Sequence, residues 1–181
     1  LDRSSAASDV YKRQITTIIV THDSHEAFFM GDKCGILLNQ TLKQYDIPYN
    51  VHHEPNSVAV ANFLNKGVFI DVDVVDSDCA VHRLKHKSLG EIRGKLSNKF
   101  SSGSKVRLLL QPEDLIHDDQ SPLKLEVVDR KFRGTNFVYT LKTANGEHLP
   151  VFVHSHHIHQ QEKSEKFGIK TPIYIDHLVC Y

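Results

Sequence analysis

Short segments rich in β-branched and aromatic residues follow one another along residues 68–179, and they constrain the fold more than any other feature. In residues 68–75 the alternation places Val68, Ile70, Val72 and Val74 on one face. The further strand candidates are residues 79–84, 89–93, 105–111, 123–130, 136–142, 147–153 and 172–179. Roughly eight short strands with almost no helical stretch predict a small closed or sandwiched β-domain.

Turn residues separate these strands. Asn145-Gly146 lies between two of them and is a strong hairpin signal. Residues 76–78, Asp-Ser-Asp, predict a turn after the first strand. Gly134 predicts a tight turn that needs unusual backbone angles.

The chain before residue 65 has a different pattern. Residues 15–20 form an apolar, β-branched run that is typical of a strand covered on both faces. Asp23 can cap a helix beginning at Ser24, and Glu26, three positions on, completes a capping box. This order of strand and helix predicts an α/β segment.

A second short helix closes that segment. Ser57 can cap it, and its apolar face is formed by Val60, Ala61, Phe63 and Leu64. The pattern changes to strands beyond residues 64–67, so we place a boundary there.

His22 is the main candidate functional residue. It stands between the predicted strand and helix, where open α/β sheets bind ligands at the carboxyl ends of their strands. An imidazole there can hydrogen-bond a terminal phosphate or orient the attacking water. The alternative is a His-Asp turn that only closes a loop.

Residues 18–27 resemble the switch-histidine segment of ATP-binding-cassette (ABC) transporter ATPases, in which a hydrophobic strand ends in Thr/Ser-His-Asp before Glu-Ala. Residues 32–38 resemble the next strand of that family. Residues 44–48, Pro55 and residues 58–64 resemble the end of the catalytic domain in importer ATPases.

Residues 106–115, 130–134 and 139–141 are similar to the accessory β-domain called the TOBE domain. The resemblance implies an α/β fragment, the C-terminal part of a P-loop ATPase domain, in residues 15–64. An all-β, OB-like TOBE domain follows in residues 65–181.

The resemblance also implies roles and partners. His22 would contact the γ-phosphate of ATP across a nucleotide-sandwich dimer, and Asp23 and Glu26 would shape its turn. The implied cofactors are ATP and Mg²⁺. The implied partners are a second ATPase subunit in a homodimer and two membrane permease subunits. The implied location is the cytoplasmic face of the inner or plasma membrane, as a peripheral protein.

The phosphate-binding elements of that family do not occur in this sequence. It has no Gly-x-x-x-x-Gly-Lys-Ser/Thr loop, no Leu-Ser-Gly-Gly-Gln-like sequence, and no apolar run ending in Asp-Glu before His22. We therefore expect the C-terminal portion of a longer ATPase, inactive in ATP hydrolysis when alone.

Residues 1–14 lack a sustained helical apolar face. They resemble a translated sequencing linker, apart from Leu1-Asp2, which could be a remnant of the family sequence. The alternative is a genuine flexible N-terminus rich in Ser and Ala.

Two hypotheses on function stay open. Residues 63–69 look more like ferric-iron importer ATPases, with polyamine importers close behind, so the predicted solute is iron and the alternative is a polyamine or another small solute. The competing hypothesis is a stand-alone β-barrel module that binds a small anion or metal.

Composition excludes some classes of function. The 22 basic and 22 acidic residues give zero formal net charge, so no global field favours nucleic acid or a membrane surface. An apolar run of about 18 residues is also lacking, so this chain carries no membrane span. The three cysteines are widely spaced and suit reduced thiols in a cytosol.

Two clusters could bind ligands. His154, His156, His157 and His159 are weak metal candidates in a predicted polar loop. Arg130, Lys131 and Arg133 lie near aromatic residues, but we predict solvated charges and no nucleic-acid binding. For the acid pair Glu113 and Asp114 we expect a solvated or dimer-contact role.

Overall fold

The computed structural model describes residues 16–65, 67–76, 81–96, 100–154 and 166–181. Its N-terminal part contains three short helices and one hairpin. These are α1 (Ser24–Met30), β1 (Cys34–Leu38), β2 (Thr41–Asp46), α2 (Pro48–His53) and α3 (Val58–Phe63). They enclose a small core of Cys34, Ile36, Val51 and Val60, against which Ala27, Phe28, Leu38 and Leu64 pack.

The predicted strand over residues 15–20 is wrong for the described residues 16–20, which have no regular secondary structure. Ile18 and Val20 are 88% and 93% exposed. A strand needs a neighbouring strand to take up its backbone hydrogen bonds. None of the described strands pairs with residues 16–20.

The two predicted helix caps are confirmed. Asp23 caps α1, and the Ser57 hydroxyl accepts from the Val60 N–H at 3.4 Å at the start of α3. Val60 is buried as expected, but Phe63 is 53% exposed because the core contacts of this helix are made by Val60 and Ala61.

Two elements of this part were not predicted. The β1–β2 turn holds Asn39 and Gln40 at φ of 49° and 60°, which is typical of a two-residue hairpin turn, although glutamine is an unusual residue there. The second, α2, begins with Pro48 at its first turn, a favoured position for proline that could have revealed the helix.

The described residues from Val68 onward contain nine β-strands. They are β3 (Val68–Asp76), β4 (His82–His86), β5 (Gly90–Leu96), β6 (Lys105–Leu110), β7 (Lys124–Phe132), β8 (Asn136–Lys142), β9 (His148–His154), β10 (Lys166–Gly168) and β11 (Ile173–Leu178). One sheet has the order β11-β5-β4-β3-β6, and another has the order β10-β7-β8-β9.

The five-stranded sheet curls until its two edges meet. At one edge β11 pairs in parallel with β5. The residues that follow β11 bond to β6 at the opposite edge, where Arg107 N donates to Tyr181 O at 3.0 Å and Leu109 N to Val179 O at 2.9 Å. The C-terminal segment therefore closes the sheet, as the prediction of a small closed β-domain implies.

The two sheets share one hydrophobic core, so they form two packed layers of the β-domain. Tyr139 is fully buried there and lies 5.5 Å from Phe167, measured between ring centroids. The first sheet contributes Ile70, Val72, Val74, Leu84, Ile92 and Leu108, and the second contributes Leu125, Val127, Leu141, Leu149 and Val151. The mostly β prediction is confirmed.

Most predicted strands lie within a few residues of the observed ones. The clearest error is the strand predicted at residues 79–84. The observed strand, β4, begins at His82, because its residues pair with β5 from His82 with Gly94 to His86 with Gly90. Residues 77–80 lie outside the described part of the chain. The short strand β10 was not predicted and forms by pairing with β7.

The hairpin predicted at Asn145-Gly146 is confirmed, since β8 and β9 pair directly across it. Gly146 has φ of 85° and Gly134 has φ of 80°, so both turns use the left-handed conformations that glycine tolerates best. Among the described residues, no helix is both long and apolar enough to cross a membrane.

Candidate functional site

The turn around His22 is held by hydrogen bonds from its neighbours. The Asp23 carboxylate accepts from the N–H groups of His25 at 2.8 Å and Glu26 at 3.4 Å, which satisfies two free donors at the start of α1. The Asp23 carbonyl accepts from Ala27 N at 3.1 Å. His22 directly precedes this cap, and its side chain is exposed.

The predicted capping box is wrong in one respect. Glu26 does not reach back to the Asp23 N–H. Its carboxylate accepts from the Thr21 hydroxyl at 2.6 Å, and that hydroxyl accepts from Asp23 N at 3.1 Å. Thr21 therefore inserts between the two groups because its hydroxyl both donates and accepts. The bridging role of Thr21 could not be predicted from the sequence, because it depends on the geometry of the turn.

The arrangement presents an exposed imidazole on a fixed turn at the amino end of a helix. Such a group can donate to or accept from an incoming polar ligand. The hydrogen bonds of Thr21, Asp23 and Glu26 therefore hold the turn that His22 precedes. The contact of His22 with phosphate stays a prediction. Asp23 and Glu26 serve the turn, since their carboxylates are engaged there.

The metal candidates are only partly described. His154 is the last residue of β9 and is exposed. His156, His157 and His159 lie outside the described residues. Within the described ranges, no group of three or more histidine, cysteine or acidic side chains is arranged to hold a metal ion. The thiols of Cys34 and Cys180 are buried, and burial raises the pKa of Cys180 to about 12.

The basic and aromatic residues around β7 and β8 contact one another. The Arg130 guanidinium lies 5.6 Å from the ring centre of Phe137 and 5.9 Å from that of Tyr139. Lys131 pairs with Asp129 at 3.3 Å. The charges are therefore partly engaged within the domain, and the expected absence of nucleic-acid binding stays a prediction.

Glu113 and Asp114, the two members of the acid pair, lie in different environments. Glu113 faces His52 at 3.6 Å. Asp114 accepts from the Gln111 N–H at 2.7 Å, and burial raises its pKa to about 7. The solvated role is therefore not seen for Asp114, because the turn after β6 folds its carboxyl back against the domain. The alternative dimer-contact role of the pair stays a prediction.

An open groove of about 410 Å³ lies between β2 and the segment that follows α2. Its polar side chains bond to one another and to nearby backbone. Asn50 donates to Asp46 at 3.0 Å, the Gln44 side-chain oxygen accepts from Asn56 N at 2.9 Å, and Asn56 donates to the Lys43 carbonyl at 2.7 Å. The bond from Asn50, and then that from Ile47 N, lower the pKa of Asp46. These bonds stabilise the fold around the groove.

Part of the β-domain matches a known protein family. Residues 96–165 match the family model of the TOBE domain. The predicted TOBE resemblance is confirmed over this range.

Comparison with curated proteins extends the likeness to the rest of the chain. The spermidine/putrescine import ATP-binding protein PotA of Hahella chejuensis is 24% identical over 97% of this chain and 53% of its own length. PotA of Salmonella typhimurium is 28% identical over 77% of this chain and 39% of its own length. PotA of Mesomycoplasma hyopneumoniae is 29% identical over 74% of this chain and 29% of its own length.

The chain spans about half, or less, of the length of these relatives. The resemblance to importer ATP-binding proteins is supported, but the iron-type assignment is not, because the named solutes are spermidine and putrescine. A solved structure of the cytoplasmic molybdate-binding protein ModG is 9% identical, with a TM-score of 0.47, over 62% of this chain and 94% of that one. A likeness this distant does not bear on function.

Proposed function

We propose that this chain is the C-terminal portion of the ATP-binding subunit of an ABC importer that takes up a polyamine. One observation carries the proposal: a TOBE match at residues 96–165 lies in a chain similar over 97% of its length to a spermidine/putrescine import ATP-binding protein. Residues 15–64 would end the ATPase domain, and residues 65–181 would form the β-domain. In support, the residues before and after this boundary have separate main cores.

In the complete protein, His22 would contact the γ-phosphate of ATP bound with Mg²⁺. Thr21, Asp23 and Glu26 support this role by holding the turn that His22 precedes. The preceding part of the subunit would supply the phosphate-binding loop, and it would cover apolar side chains such as Ile18, Val20 and Phe29, which are exposed. Partner proposals are a second ATPase subunit and the membrane permease subunits, with the protein peripheral on the cytoplasmic face.

The first experiment reads the coding DNA upstream of codon 15. The proposal expects a Gly-x-x-x-x-Gly-Lys-Ser/Thr loop, a Leu-Ser-Gly-Gly-Gln-like sequence and an apolar strand ending in Asp-Glu. A reading frame that begins near residue 1 without these elements would overturn it.

The second experiment measures uptake of labelled spermidine by cells that express the complete subunit with its permeases. His22→Ala should reduce uptake by roughly a hundredfold or more while ATP binding is retained. His25→Ala, an exposed histidine on α1, is the matched control and should leave uptake unchanged. Uptake of ferric iron without spermidine would exclude the polyamine, and normal uptake by His22→Ala would exclude the catalytic role.

A further inference from the structure

Three histidine rings meet where α2 lies against β11. The ring centroids of His52 and His53 are 4.5 Å apart, and those of His53 and His177 are 5.7 Å apart. We call the group formed by His52, His53, His177, Glu54 and Glu113 the histidine joint. It connects the helical part of the chain to the β-domain and was not foreseen from the sequence.

Two of the histidines face a carboxylate across this contact. His177 Nδ1 is 3.0 Å from Glu54 Oε1, and His52 Nε2 is 3.6 Å from Glu113 Oε1. In each pair, one residue belongs to α2 or its end and the other to the β-domain. A proton on either imidazole therefore converts a polar contact between the two parts into an ion pair.

The geometry accommodates His177 in both protonation states. Its second nitrogen, Nε2, is 3.0 Å from the Tyr49 hydroxyl. A tyrosine hydroxyl can donate to a neutral imidazole and accept from a charged one. Protonation therefore adds attraction to Glu54 without breaking the bond to Tyr49.

Further acidic and aromatic residues lie around the histidine joint. Asp176 precedes His177 on β11, and Asp114 follows Glu113 in the turn after β6. From α1, the ring of Phe28 contacts His52 at 5.8 Å between centroids. On the β-domain side, burial is the main cause that raises the pKa of Asp114, and the charges of Glu113 and Asp176 raise it further. The cationic Lys170 lines a small pocket with Asp114.

A separate contact fixes the neighbouring helix α3. Ala61 is buried with Leu109 and Val179, and the Tyr181 hydroxyl donates to the Pro55 carbonyl at 2.6 Å. These contacts contain no histidine or carboxylate side chain. A change of pH at the joint therefore acts on α2, while α3 stays attached to the sheet.

We propose that the histidine joint is a pH-sensitive contact, in which protonation of His52 and His177 tightens α2 against the β-domain and deprotonation loosens it. The proposal concerns the chain itself and does not depend on the transport function. The paired side chains are 31–40% exposed, so they exchange protons freely with solvent. Partly exposed ion pairs are weak, and the expected response is a graded change of a few-fold.

Asp114 also changes charge near neutral pH. Burial raises its pKa to about 7, so the carboxyl is largely neutral under mildly acidic conditions. Above that pH it gains a negative charge beside Glu113 and Asp176, which its raised pKa already reflects. Because Glu113, Asp114 and Asp176 all belong to the β-domain, this repulsion acts within that domain and not on its contact with α2.

Hydrogen exchange of the intact chain tests the proposal. Exchange is followed by mass spectrometry at about pH 6 and about pH 8, where histidine changes charge, with times corrected for the intrinsic rate. The protection of α2 relative to that of β8, which is paired on both sides in its sheet, should fall by roughly threefold to tenfold from the lower to the higher pH. Unchanged relative protection of α2 would overturn the proposal.

Variants assign the effect to the joint. The double variant His52→Gln/His177→Gln should remove most of the pH dependence, and the matched control His25→Gln/His148→Gln changes two exposed histidines elsewhere and should keep it. Glu54→Gln retains an acceptor for His177 and should remove roughly half of the response. A response that persists in the double variant and in Glu54→Gln would overturn the proposal.

Discussion

His86 on β4 bonds to Glu147, which directly precedes β9, with 3.1 Å between His86 Nε2 and Glu147 Oε2. The other ring nitrogen, Nδ1, accepts from Leu89 N at 3.1 Å and from Ser88 N at 3.3 Å. Because Nδ1 accepts, the hydrogen lies on Nε2 and is donated to Glu147. The ring is 2% exposed, so this bond ties the β4–β5 turn of one sheet to the β8–β9 hairpin of the other.

Replacement of His86 should therefore destabilise the β-domain. His86→Ala leaves the N–H groups of Ser88 and Leu89 without their acceptor and creates a cavity, so we expect a loss of about 2–4 kcal/mol in the free energy of unfolding. Urea unfolding at neutral pH measures it. His148→Ala, at an exposed position on β9, should change stability by less than about 0.5 kcal/mol. Equal effects of the two substitutions would contradict the role of His86.

The raised pKa of Asp114 makes stability depend on pH. The folded state holds this proton up to about pH 7, whereas the ordinary value is 3.8, so the folded state is favoured below about pH 4 and loses that advantage as the pH rises to about 7. Asp114→Asn keeps an acceptor for Gln111 N and cannot ionise. It should be more stable than the parent chain by about 1–3 kcal/mol at pH 8 and nearly equal at pH 4.

Urea unfolding of both chains at several pH values checks this expectation. Asp32→Asn is a suitable control, since Asp32 is an exposed residue far from the turn after β6 in the sequence. A parallel pH dependence of the parent chain and Asp114→Asn would show that the carboxyl does not titrate near neutrality.

Gly94 allows β11 to approach β5. A Cβ atom at this position would lie 1.9 Å from the Ile175 carbonyl oxygen, which belongs to the backbone and cannot move aside locally. Gly94→Ala should separate these strands and cost about 3 kcal/mol or more. Thermal unfolding followed by circular dichroism measures the loss.

The matched control is Gly35→Ala, another glycine within a strand. Its Cβ would lie 3.0 Å from Leu42 Cδ1, the end of an exposed, flexible side chain. We expect a change of less than about 1 kcal/mol. A comparable loss at both positions would show that close strand approach is not the cause.

The cap at Asp23 should determine how well α1 is formed. Asp23→Ala removes the acceptor for the N–H groups of His25 and Glu26, which costs a helix about 1 kcal/mol. Exchange of the α1 amides should accelerate by roughly fivefold, with little change in β8. Asp32→Ala, at an exposed position beyond the helix, is the control and should leave α1 unaffected.

Prediction from the sequence succeeded where a feature depends on neighbouring residues. The caps at Asp23 and Ser57 and the Asn145-Gly146 hairpin were all predicted correctly, because each is formed within a few positions. The candidate site was predicted only in part. Its residues lie on the expected turn, but Thr21 takes the bridging role that the capping box assigned to Asp23 and Glu26.

The sequence by itself determined local features such as the two helix caps, and it determined the buried face of strands such as β3, since an alternating pattern fixes which side chains lie together. The tertiary structure alone decided which strands pair when they are far apart in the chain. It placed β11 in parallel beside β5, left residues 16–20 unpaired, and brought His177 to Glu54. Such contacts join residues far apart in the chain, and they form only when the burial of a whole core repays the entropy of closing long loops.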